Sequence, residues 1–409
     1  MQGRWLYVLL VLVCFGIAPV GADPVAAEEP VSWKEMLRSA RGQTVDWYMW
    51  GGSPAVNEYV NGYVAEELKK RYEISLRQVP VNDIAEVVSK LVVEKQAGKE
   101  HDGRVDLMWI NGENFRTCKK NDLLYGPFAD RLPNQRYVDW SRPSVKNDFG
   151  TPVENMESPW GSAQMVMIYD SSRIPKPPRT IPGLLAWIKS NPGRFTYPAP
   201  PDFTGSVFVR HIFYHSAGAI QKWQEAYEDE ELQQAAEQTF TLLRGLTPYL
   251  WRQGATYPES PVKMNTLFAD GEIDFSFSYH QGEASRNILD GLFPDTVRTY
   301  VFDEGTIANT HFLAIPFNAA DKAAAMVVAN FLLSPEAQLK KADPDVWGDF
   351  PALDMGRLPP DWQQRFEAQP RGVATLSDRV LASSQLPEPP SKVLIYLEKG
   401  WVQKVLKNR

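Results

Sequence analysis

Cysteine is scarce in this sequence, with two residues, Cys14 and Cys118, among 409. Cys14 lies in an N-terminal segment that we expect to be removed, so the mature chain would keep a single thiol. One thiol cannot form an internal disulfide, and the fold must therefore rely on its hydrophobic cores. Cys118 stands between Thr117 and Lys119 with no histidine nearby, which favours a buried packing role over a catalytic one.

The sequence also lacks an excess of basic residues and the common motifs of catalysis. Its 43 Lys and Arg residues are outnumbered by 50 Asp and Glu residues, which argues against a nucleic-acid partner. Phosphate-binding loops and the patterns G-x-G-x-x-G, H-E-x-x-H, C-x-x-C and G-x-S-x-G are absent. His211 and His215 are spaced for one helix face, but no carboxylate stands at a ligand spacing beside them. We therefore predict no metal and no cofactor.

A long apolar run occurs at the N-terminus. Arg4 precedes apolar residues over 5–20, and Val20-Gly21-Ala22 supplies small residues for cleavage. This layout is typical of a secretory signal peptide covering residues 1–22, and its apolar part is short for a transmembrane helix. An uncleaved membrane anchor is the alternative. The sequence therefore predicts export to the periplasm.

The rest of the chain alternates strand patterns with helical patterns, as parallel β-α-β units do. In a first block, strands are predicted at residues 44–50, 74–79 and 105–110 and helices at 54–72 and 82–97. In a second block, strands are predicted at 164–169, 195–197 and 273–278 and helices at 181–190, 205–215 and 230–246. A strand at 311–316 and helices at 319–333 and near 390–406 follow.

This organisation predicts an α/β protein with two lobes and a cleft between them. We assign residues 23–152 and 307–345 to the first lobe and 153–306 to the second. The tail, 346–409, is expected to be a helical segment that packs on the lobes near the hinge. Ligands of open α/β sheets bind beyond the carboxyl ends of the strands, so a cleft between two such lobes is the expected site.

Aromatic and polar residues stand at the predicted junctions between strands and helices. Glycines there let backbone amides approach a ligand, and aromatic rings offer flat faces. The candidate ligand-binding residues are Trp50, Gly51, Gly52, Asn111, Glu113, Asn114, Trp160, Gln164, Asp202, Phe203, Thr204, Tyr279 and His311. Each alone is compatible with a structural role, and Asp202 could simply cap the helix that follows it. Their joint position at strand ends is what indicates a site.

Several stretches of the sequence resemble a known family. They are ARGQTV at 40–45, VDLMWINGENFRT at 105–117, SPWGSAQ at 158–164, YPAPPDFTG at 197–205 and FLLSPEAQLKKADPDVWGD at 331–349. Together they are similar to the family 1 extracellular solute-binding proteins of ABC importers, and among these to the YnjB-like subfamily. The resemblance covers nearly the whole mature chain, from about residue 32 to beyond residue 350.

The resemblance implies a type II periplasmic binding protein fold, in which two lobes, each a mostly parallel sheet flanked by helices, close about a hinge. It also implies a monomer without enzymatic activity that binds a small solute. The solute would pass to permease subunits in the inner membrane, which a cytoplasmic ATPase drives. The ligand touches both lobes in the closed state alone and thereby shifts the population toward closure. The family does not fix the ligand.

The candidate residues favour a cationic or zwitterionic, nitrogen-containing solute similar to thiamine or a polyamine. The carboxylates of Glu113 and Asp202 would pair with its positive charge. Cation–π contacts would come from four rings, those of Trp50, Trp160, Phe203 and Tyr279. An oxyanion bound by backbone amides near Thr204 and a sugar stacked on tryptophan are the alternatives. A ferric ion is disfavoured because no Tyr-Tyr pair occurs. A hydrolase using Glu113 and Asp202 would need a defined separation of the two carboxylates.

Overall fold

The computed structural model of the chain describes residues 32–218, 220–225 and 227–407. The signal peptide predicted for residues 1–22 lies outside these ranges. Among the helices in the described ranges, none is both long and apolar enough to cross a membrane.

The strands include those predicted at 44–50, 74–79, 105–110, 164–169, 273–278 and 311–316, and others that the sequence did not predict. They are β1 (Thr44–Trp50), β2 (Ser75–Val81), β3 (Leu107–Ile110), β4 (Asn147–Asp148), β5 (Thr151–Pro152), β6 (Glu157–Gln164), β7 (Val166–Asp170), β8 (Phe275–Ser278), β9 (Val297–Tyr300), β10 (Thr306–Ala314) and β11 (Gln385–Leu386). The strand predicted at 195–197 is wrong, because this segment has no partner strand. Instead, the Trp251 N–H donates to the Phe195 carbonyl over 2.8 Å. A buried apolar stretch can thus lack strand structure when a neighbouring turn supplies hydrogen bonds to its backbone groups.

Several helices begin where the sequence places caps and prolines. They are α1 (Trp33–Ala40), α2 (Pro54–Glu58), α3 (Ala65–Tyr72), α4 (Ala85–Gln96), α5 (Gly112–Lys120), α6 (Pro143–Lys146), α7 (Ile181–Ser190), α8 (Phe203–Ala217), α9 (Ile220–Glu225), α10 (Asp229–Leu246), α11 (Pro261–Ala269), α12 (Glu283–Leu289), α13 (Lys322–Leu332), α14 (Pro335–Ala342), α15 (Pro360–Ala368), α16 (Asp378–Ser383) and α17 (Ser391–Trp401). Ser53, Ser260 and Ser334 each cap a helix whose first residue is proline. A π-helical turn, Val402–Leu406, extends α17.

The larger sheet is parallel in its first half. β1 lies between β2 and β3 and runs parallel to both, with Trp50 opposite Val81. β10 is antiparallel to β3, and β6 is antiparallel to β10. The loops that follow Trp50, Val81 and Ile110 therefore lie at one edge of the sheet, where ligands of α/β proteins bind.

The smaller sheet differs from the mostly parallel sheet that we expected in the second lobe. β7 is its central strand, and β8 and β9 both pair with it in the antiparallel direction. β8 and β9 consequently run in the same direction, joined through α12, although the sequence predicted neither β9 nor α12. The strand between them comes from an earlier part of the chain, which sequence alternation alone does not reveal. The α/β class itself, with helices flanking both sheets, is confirmed.

β6 and β10 connect the two sheets. They pair along most of their length, with a register shift between His311 and Phe312. Just beyond β6, the Met165 N–H donates to the Ile307 carbonyl over 2.9 Å. Two paired strands that cross between lobes can bend together, which is what a hinge requires.

Buried hydrophobic side chains form separate cores on the two sheets. One face of the larger sheet is covered by a cluster containing Trp47 and Val327, and the other by a cluster containing Met108 and Phe115. A further cluster, containing Phe208, covers the smaller sheet. We call the residues around the first two clusters the first lobe and those around the last the second lobe. The lobe boundaries derived from the sequence stay a prediction.

The C-terminal tail contributes to both lobes. Trp347 and Phe366 lie in the core of the first lobe, whereas Val393 and Trp401 of α17 lie in the core of the second. The Trp401 indole N–H donates to the Tyr197 hydroxyl over 3.0 Å. The last helix is therefore an integral part of the second lobe.

Cys118 is buried in α5 and carries a free thiol. Burial, reinforced by the Glu157 carboxylate, raises the pKa of this thiol to about 12. An uncharged, enclosed thiol is a poor nucleophile, which agrees with the packing role that the sequence favours.

Candidate functional site

The loop after β1 presents Trp50, Gly51 and Gly52. Trp50 is 48% exposed, although tryptophan is usually well buried. A Cβ atom at Gly51 would lie 2.4 Å from the Pro80 Cβ, and one at Gly52 would lie 2.3 Å from the Trp50 ring. The two glycines therefore allow the backbone to turn tightly beside a ring that solvent can reach.

The start of α5 lies at the same edge of the larger sheet. The side-chain amide of its cap residue, Asn111, donates to the Thr310 carbonyl of β10 over 2.6 Å. The Asn114 amide donates to the Glu113 carboxylate over 3.4 Å. Burial, followed by the nearby Asp83 carboxylate, raises the pKa of Glu113.

The start of α8, in the second lobe, carries Asp202, Phe203 and Thr204. The Asp202 carboxylate accepts the Gly205 N–H over 2.7 Å, so this residue is the helix cap that the sequence allowed for. Burial raises the pKa of Asp202. Phe203 is 44% exposed, and its ring centre lies 4.9 Å from that of Tyr279.

Phe149, between β4 and β5, joins the two helix starts. Its ring centre lies 6.2 Å from that of Phe203, and a Cβ atom at Gly112 would lie 3.3 Å from its ring. The neighbouring Asp148 carboxylate accepts the Gly112 N–H over 2.6 Å. The fold thus brings the start of α5, with Glu113, close to the start of α8.

Arg210 and Glu388 form a buried ion pair beneath these aromatic rings. The Arg210 Nε lies 3.1 Å from the Glu388 carboxylate, and their side chains are 0% and 3% exposed. Arg210 also donates to the Tyr279 hydroxyl, which in turn donates to Glu388. The Asn309 amide donates to Glu388 over 3.0 Å. The guanidinium carbon lies 5.4 Å from the centre of the Phe203 ring, so this aromatic environment accommodates positive charge.

A further carboxylate, Glu398 of α17, faces the same region. It accepts a hydrogen bond from the Ser206 hydroxyl of α8 over 2.7 Å. Burial raises the pKa of Glu398 to about 7, and Glu113 acts in the same direction. The carboxylates of Glu113, Glu388 and Glu398 thus face one guanidinium, so this site has more acidic than basic groups.

Two candidate residues lie in crossing strand β6. Trp160 is fully buried in the first lobe, with its ring centre 5.0 Å from that of Trp47 and 4.9 Å from that of Trp109. Gln164 is also fully buried and donates to the Thr306 hydroxyl over 3.1 Å. The sequence places Trp160 before the predicted strand at 164–169 and Gln164 at the first residue of that strand, whereas both lie in β6, which is covered on both faces. Trp160 thus packs inside the first lobe, whereas the Gln164 N–H donates to the Tyr279 carbonyl over 3.0 Å and reaches the edge of the site through its backbone.

His311 lies on the other crossing strand, β10. Its Nε2 lies 3.4 Å from the Asp349 carboxylate, which also pairs with the buried Lys341 ammonium over 2.7 Å. Its ring centre is 5.0 Å from that of Trp109. His311 therefore belongs to a charged cluster inside the first lobe and is separate from the site described above.

Sequence reasoning missed Phe149, Arg210, Glu388 and Glu398. Arg210 is a single basic residue within the apolar stretch SVFVRHIFYH of α8, which was a usable signal of a buried functional charge. Glu388 stands among prolines in the tail, and nothing local relates it to Arg210.

His211, which the sequence analysis considered with His215 as a possible metal ligand, forms hydrogen bonds through both ring nitrogens. Nδ1 lies 2.8 Å from the Val207 carbonyl, and Nε2 accepts the Ile307 N–H over 3.1 Å. Burial lowers the pKa of His211 to about 4, which keeps it neutral and favours its packing role.

Comparison with known proteins identifies the family. Residues 63–370 match the family described as bacterial extracellular solute-binding protein. The chain belongs to this family. The solute-binding protein is also 39% identical over 398 residues to Protein YnjB of Escherichia coli strain K12, covering 97% of this chain and 95% of that protein. The resemblance found in the sequence is thereby confirmed, and a small solute and a membrane permease are the partners that the family implies.

Solved structures share its fold. One is the spermidine/putrescine ABC transporter substrate-binding protein PotD of Streptococcus pneumoniae, with a TM-score of 0.59 and 14% identity, covering 90% of this chain and 100% of that one. Another is AfuA of Actinobacillus pleuropneumoniae with fructose-6-phosphate bound, with a TM-score of 0.57 and 15% identity, covering 89% and 99%. These similarities establish the type II binding-protein fold. Because one protein is named for polyamines and the other holds a sugar phosphate, the fold alone does not define the solute.

Proposed function

We propose that this solute-binding protein captures a small cationic or zwitterionic, nitrogen-containing solute, similar in charge to thiamine or a polyamine. In this proposal, the chain is exported through the signal peptide at residues 1–22 and works in the periplasm as a monomer. The lobes close about β6 and β10, and the protein delivers the solute to permease subunits that a cytoplasmic ATPase drives.

The observation that carries this proposal is the proximity of the Glu113 and Glu398 carboxylates, from distant parts of the chain, with Asp202 capping the helix that carries Arg210. Glu113 lies on α5, Asp202 precedes α8, and Glu398 lies on α17, and burial raises the pKa of each. Raised pKa values mean that the protein does not fully compensate these charges when they ionise. A bound ammonium or thiazolium group would supply the missing positive charge through charge-assisted contacts.

The exposed rings support the same ligand class. Trp50 and Phe203 are 48% and 44% exposed, one at the edge of the first lobe and the other at the start of α8. A cation over such ring faces gains about 0.5–2 kcal/mol, depending on how much water is removed. The two rings also suit a neutral sugar, but a sugar does not account for the excess of carboxylates.

An oxyanion at the start of α8 fits less well. The Asp202 carboxylate already accepts the Gly205 N–H, so an anion near Thr204 would meet a negative charge where it needs a donor. Membership of a transport family also supports binding without catalysis.

Isothermal titration calorimetry of the mature protein against thiamine, spermidine, putrescine, maltose and phosphate tests this proposal. We expect at least one of the amines to bind, and Glu113→Gln to weaken that binding about tenfold or more, since a charged hydrogen bond contributes about 1.5–3 kcal/mol. Glu86→Gln, an exposed residue of α4, is the matched control and should leave affinity unchanged. Tight binding of phosphate or maltose, with no binding of any amine, would refute the proposal.

A further inference from the structure

A groove of about 420 Å³ lies between α5, α10 and α17, on the side of α17 that faces away from Glu398. Its floor is apolar and includes Phe240 and Ile395. Gly400 lets α17 approach α10 closely, because a Cβ atom there would lie 2.2 Å from the Phe240 ring. The volume is that of a ligand-sized cavity, and the groove is open to solvent.

The rim of the groove is basic. Lys392 and Lys404 line it and form ion pairs with Asp229 and Glu237 of α10. Two more cations, Arg116 of α5 and Lys399 of α17, are exposed and line the groove as well.

Arg116 and Lys399 are left without a partner on this rim. Among the residues that the structure describes, no carboxylate lies within ion-pair distance of either, and none lines the groove. The protein carries an overall net charge of −7, so this basic surface is a local departure from the charge of the whole chain. Two unpaired cations above an apolar floor are arranged for an anionic partner.

The groove is built from both lobes. Arg116 lies one helical turn after Glu113 on α5, whose Phe115 and Cys118 belong to the core of the first lobe. Phe240 and α17 belong to the second lobe. The distance between the two unpaired cations therefore depends on how the lobes are arranged, and a partner seated in the groove contacts both lobes at once.

We propose that this basic groove is a docking site for an acidic, periplasm-facing polypeptide segment of the permease. Acidic side chains of that segment pair with Arg116 and Lys399, and an apolar side chain between them fills the floor. Since the walls come from both lobes, the groove presents its full set of contacts in one lobe arrangement, and the permease can distinguish that arrangement from others. The inference rests on the proposed role in import, but it does not depend on the identity of the solute.

The test is the double charge reversal Arg116→Glu with Lys399→Glu in the full mature chain. Binding to the cognate permease in lipid nanodiscs is measured by biolayer interferometry, with and without the transported solute. We expect affinity to fall about tenfold or more and its dependence on salt to weaken, because opposite charges at the rim are replaced by like charges. Solute binding, measured by calorimetry, should stay within about twofold of the unaltered protein.

A matched control reverses one exposed lysine in each lobe, with Lys340→Glu on α14 and Lys189→Glu on α7. It makes the same change in net charge and should leave permease binding unaltered. If the groove variant binds the permease as tightly as this control does, the proposal is wrong. If the reversal disturbs folding, Arg116→Gln with Lys399→Gln removes the charges without adding repulsion, and an unchanged affinity then refutes the docking site.

Anionic lipid is the competing partner for a basic surface, and vesicles of phosphatidylglycerol without permease distinguish it. Cosedimentation of the unaltered protein with these vesicles, lost in the double variant, would assign the groove to the membrane and overturn the permease proposal. The proposed solute class can fail separately, since permease binding is also measured without solute.

Discussion

At the scale of single residues, the pairing of Arg210 with Glu388 organises the site. Both side chains are withdrawn from water, and Tyr279 and Asn309 both donate hydrogen bonds to Oε1 of the Glu388 carboxylate. Removing a charge from water is expensive, so each member of such a pair depends strongly on the other. Arg210 is best understood as the fixed positive charge that allows a carboxylate to be buried beneath the site.

Replacing Glu388 by alanine should therefore lower the free energy of unfolding by about 3–5 kcal/mol, because the Arg210 charge would remain buried without the carboxylate that contacts it. The double variant Arg210→Met with Glu388→Leu should lose less than the two single variants together. Urea denaturation measures these changes. Asp229→Ala breaks the exposed pair with Lys392 and should change stability far less. A Glu388→Ala effect as small as that of Asp229→Ala would contradict the assignment.

Glu398 should make cation binding depend on pH. Its pKa is raised to about 7 in the folded protein, above the ordinary value of about 4.3. Between these values the folded protein holds a proton that the unfolded chain has lost, so stability falls as pH rises through this window. A cation that pairs with ionised Glu398 must displace this proton, and its affinity should therefore increase from pH 6 to pH 8.

The variant Glu398→Gln should flatten this pH dependence. Calorimetry in two buffers of different ionisation enthalpy measures the protons released on binding, and the release should fall in the variant. Equal proton release from both proteins would show that Glu398 does not contact the bound cation.

At the scale of elements, the close approach of α17 to α10 decides where the tail lies. α17 carries Glu398 toward the site and Lys399 toward the groove, and both positions depend on the packing of α17 against Phe240. This close packing is possible because residue 400 is a glycine and has no side chain. A single glycine thus controls the position of an entire helix.

Gly400→Ala should destabilise the protein by about 1–3 kcal/mol, since the added methyl group overlaps the buried Phe240 ring. It should also weaken solute binding, because a displaced α17 moves Glu398. Gly245→Ala is the matched control on α10, where an added Cβ atom meets nothing within 4 Å. That change should stabilise the helix by about 0.5–1 kcal/mol. If both variants unfold at the same urea concentration, the packing argument is wrong.

At the scale of the whole molecule, β6 and β10 are the hinge that we propose. Both strands pass from the core of one lobe to the core of the other, and their buried residues pack in these cores. The ends of the strands lead into different sheets. A solute that contacts Glu113 on one side and Phe203 on the other is bound most strongly when the lobes are closest. Binding and closure are then one equilibrium.

Small-angle X-ray scattering should record this coupling as a smaller radius of gyration when a binding amine is added. Glu113→Gln, at the same concentration of amine, should show a smaller change because less of it is occupied. A radius that stays constant at saturating amine would mean that binding proceeds without lobe closure.

Local sequence signals predicted much of the fold but little of how its parts meet. Thr180 and Asn191 bracket α7, and its predicted limits agree with the structure. The strands predicted at 164–169 and 273–278 are found as β7 and β8, yet their antiparallel pairing was not foreseen because the two segments are distant in the chain.

The site shows the same division. Glu113, Asp202, Phe203 and Tyr279 could be chosen because they stand at strand or helix ends, where α/β proteins bind ligands. Glu388 and Arg210 could not be paired, since their contact depends on the path of the whole tail. The role of Glu113, Asp202, Phe203 and Tyr279 as ligand-binding residues stays a proposal.

The buried state of Cys118 has a practical consequence for observing the lobes. Downstream of residue 22 it is the single thiol of the sequence, and with a pKa of about 12 it remains unreactive toward maleimides at neutral pH. Cysteines introduced at Lys340 and Lys189, on opposite lobes, could therefore be labelled with a fluorophore pair without first removing the native thiol. Energy transfer between the two dyes would then follow opening and closing in individual molecules.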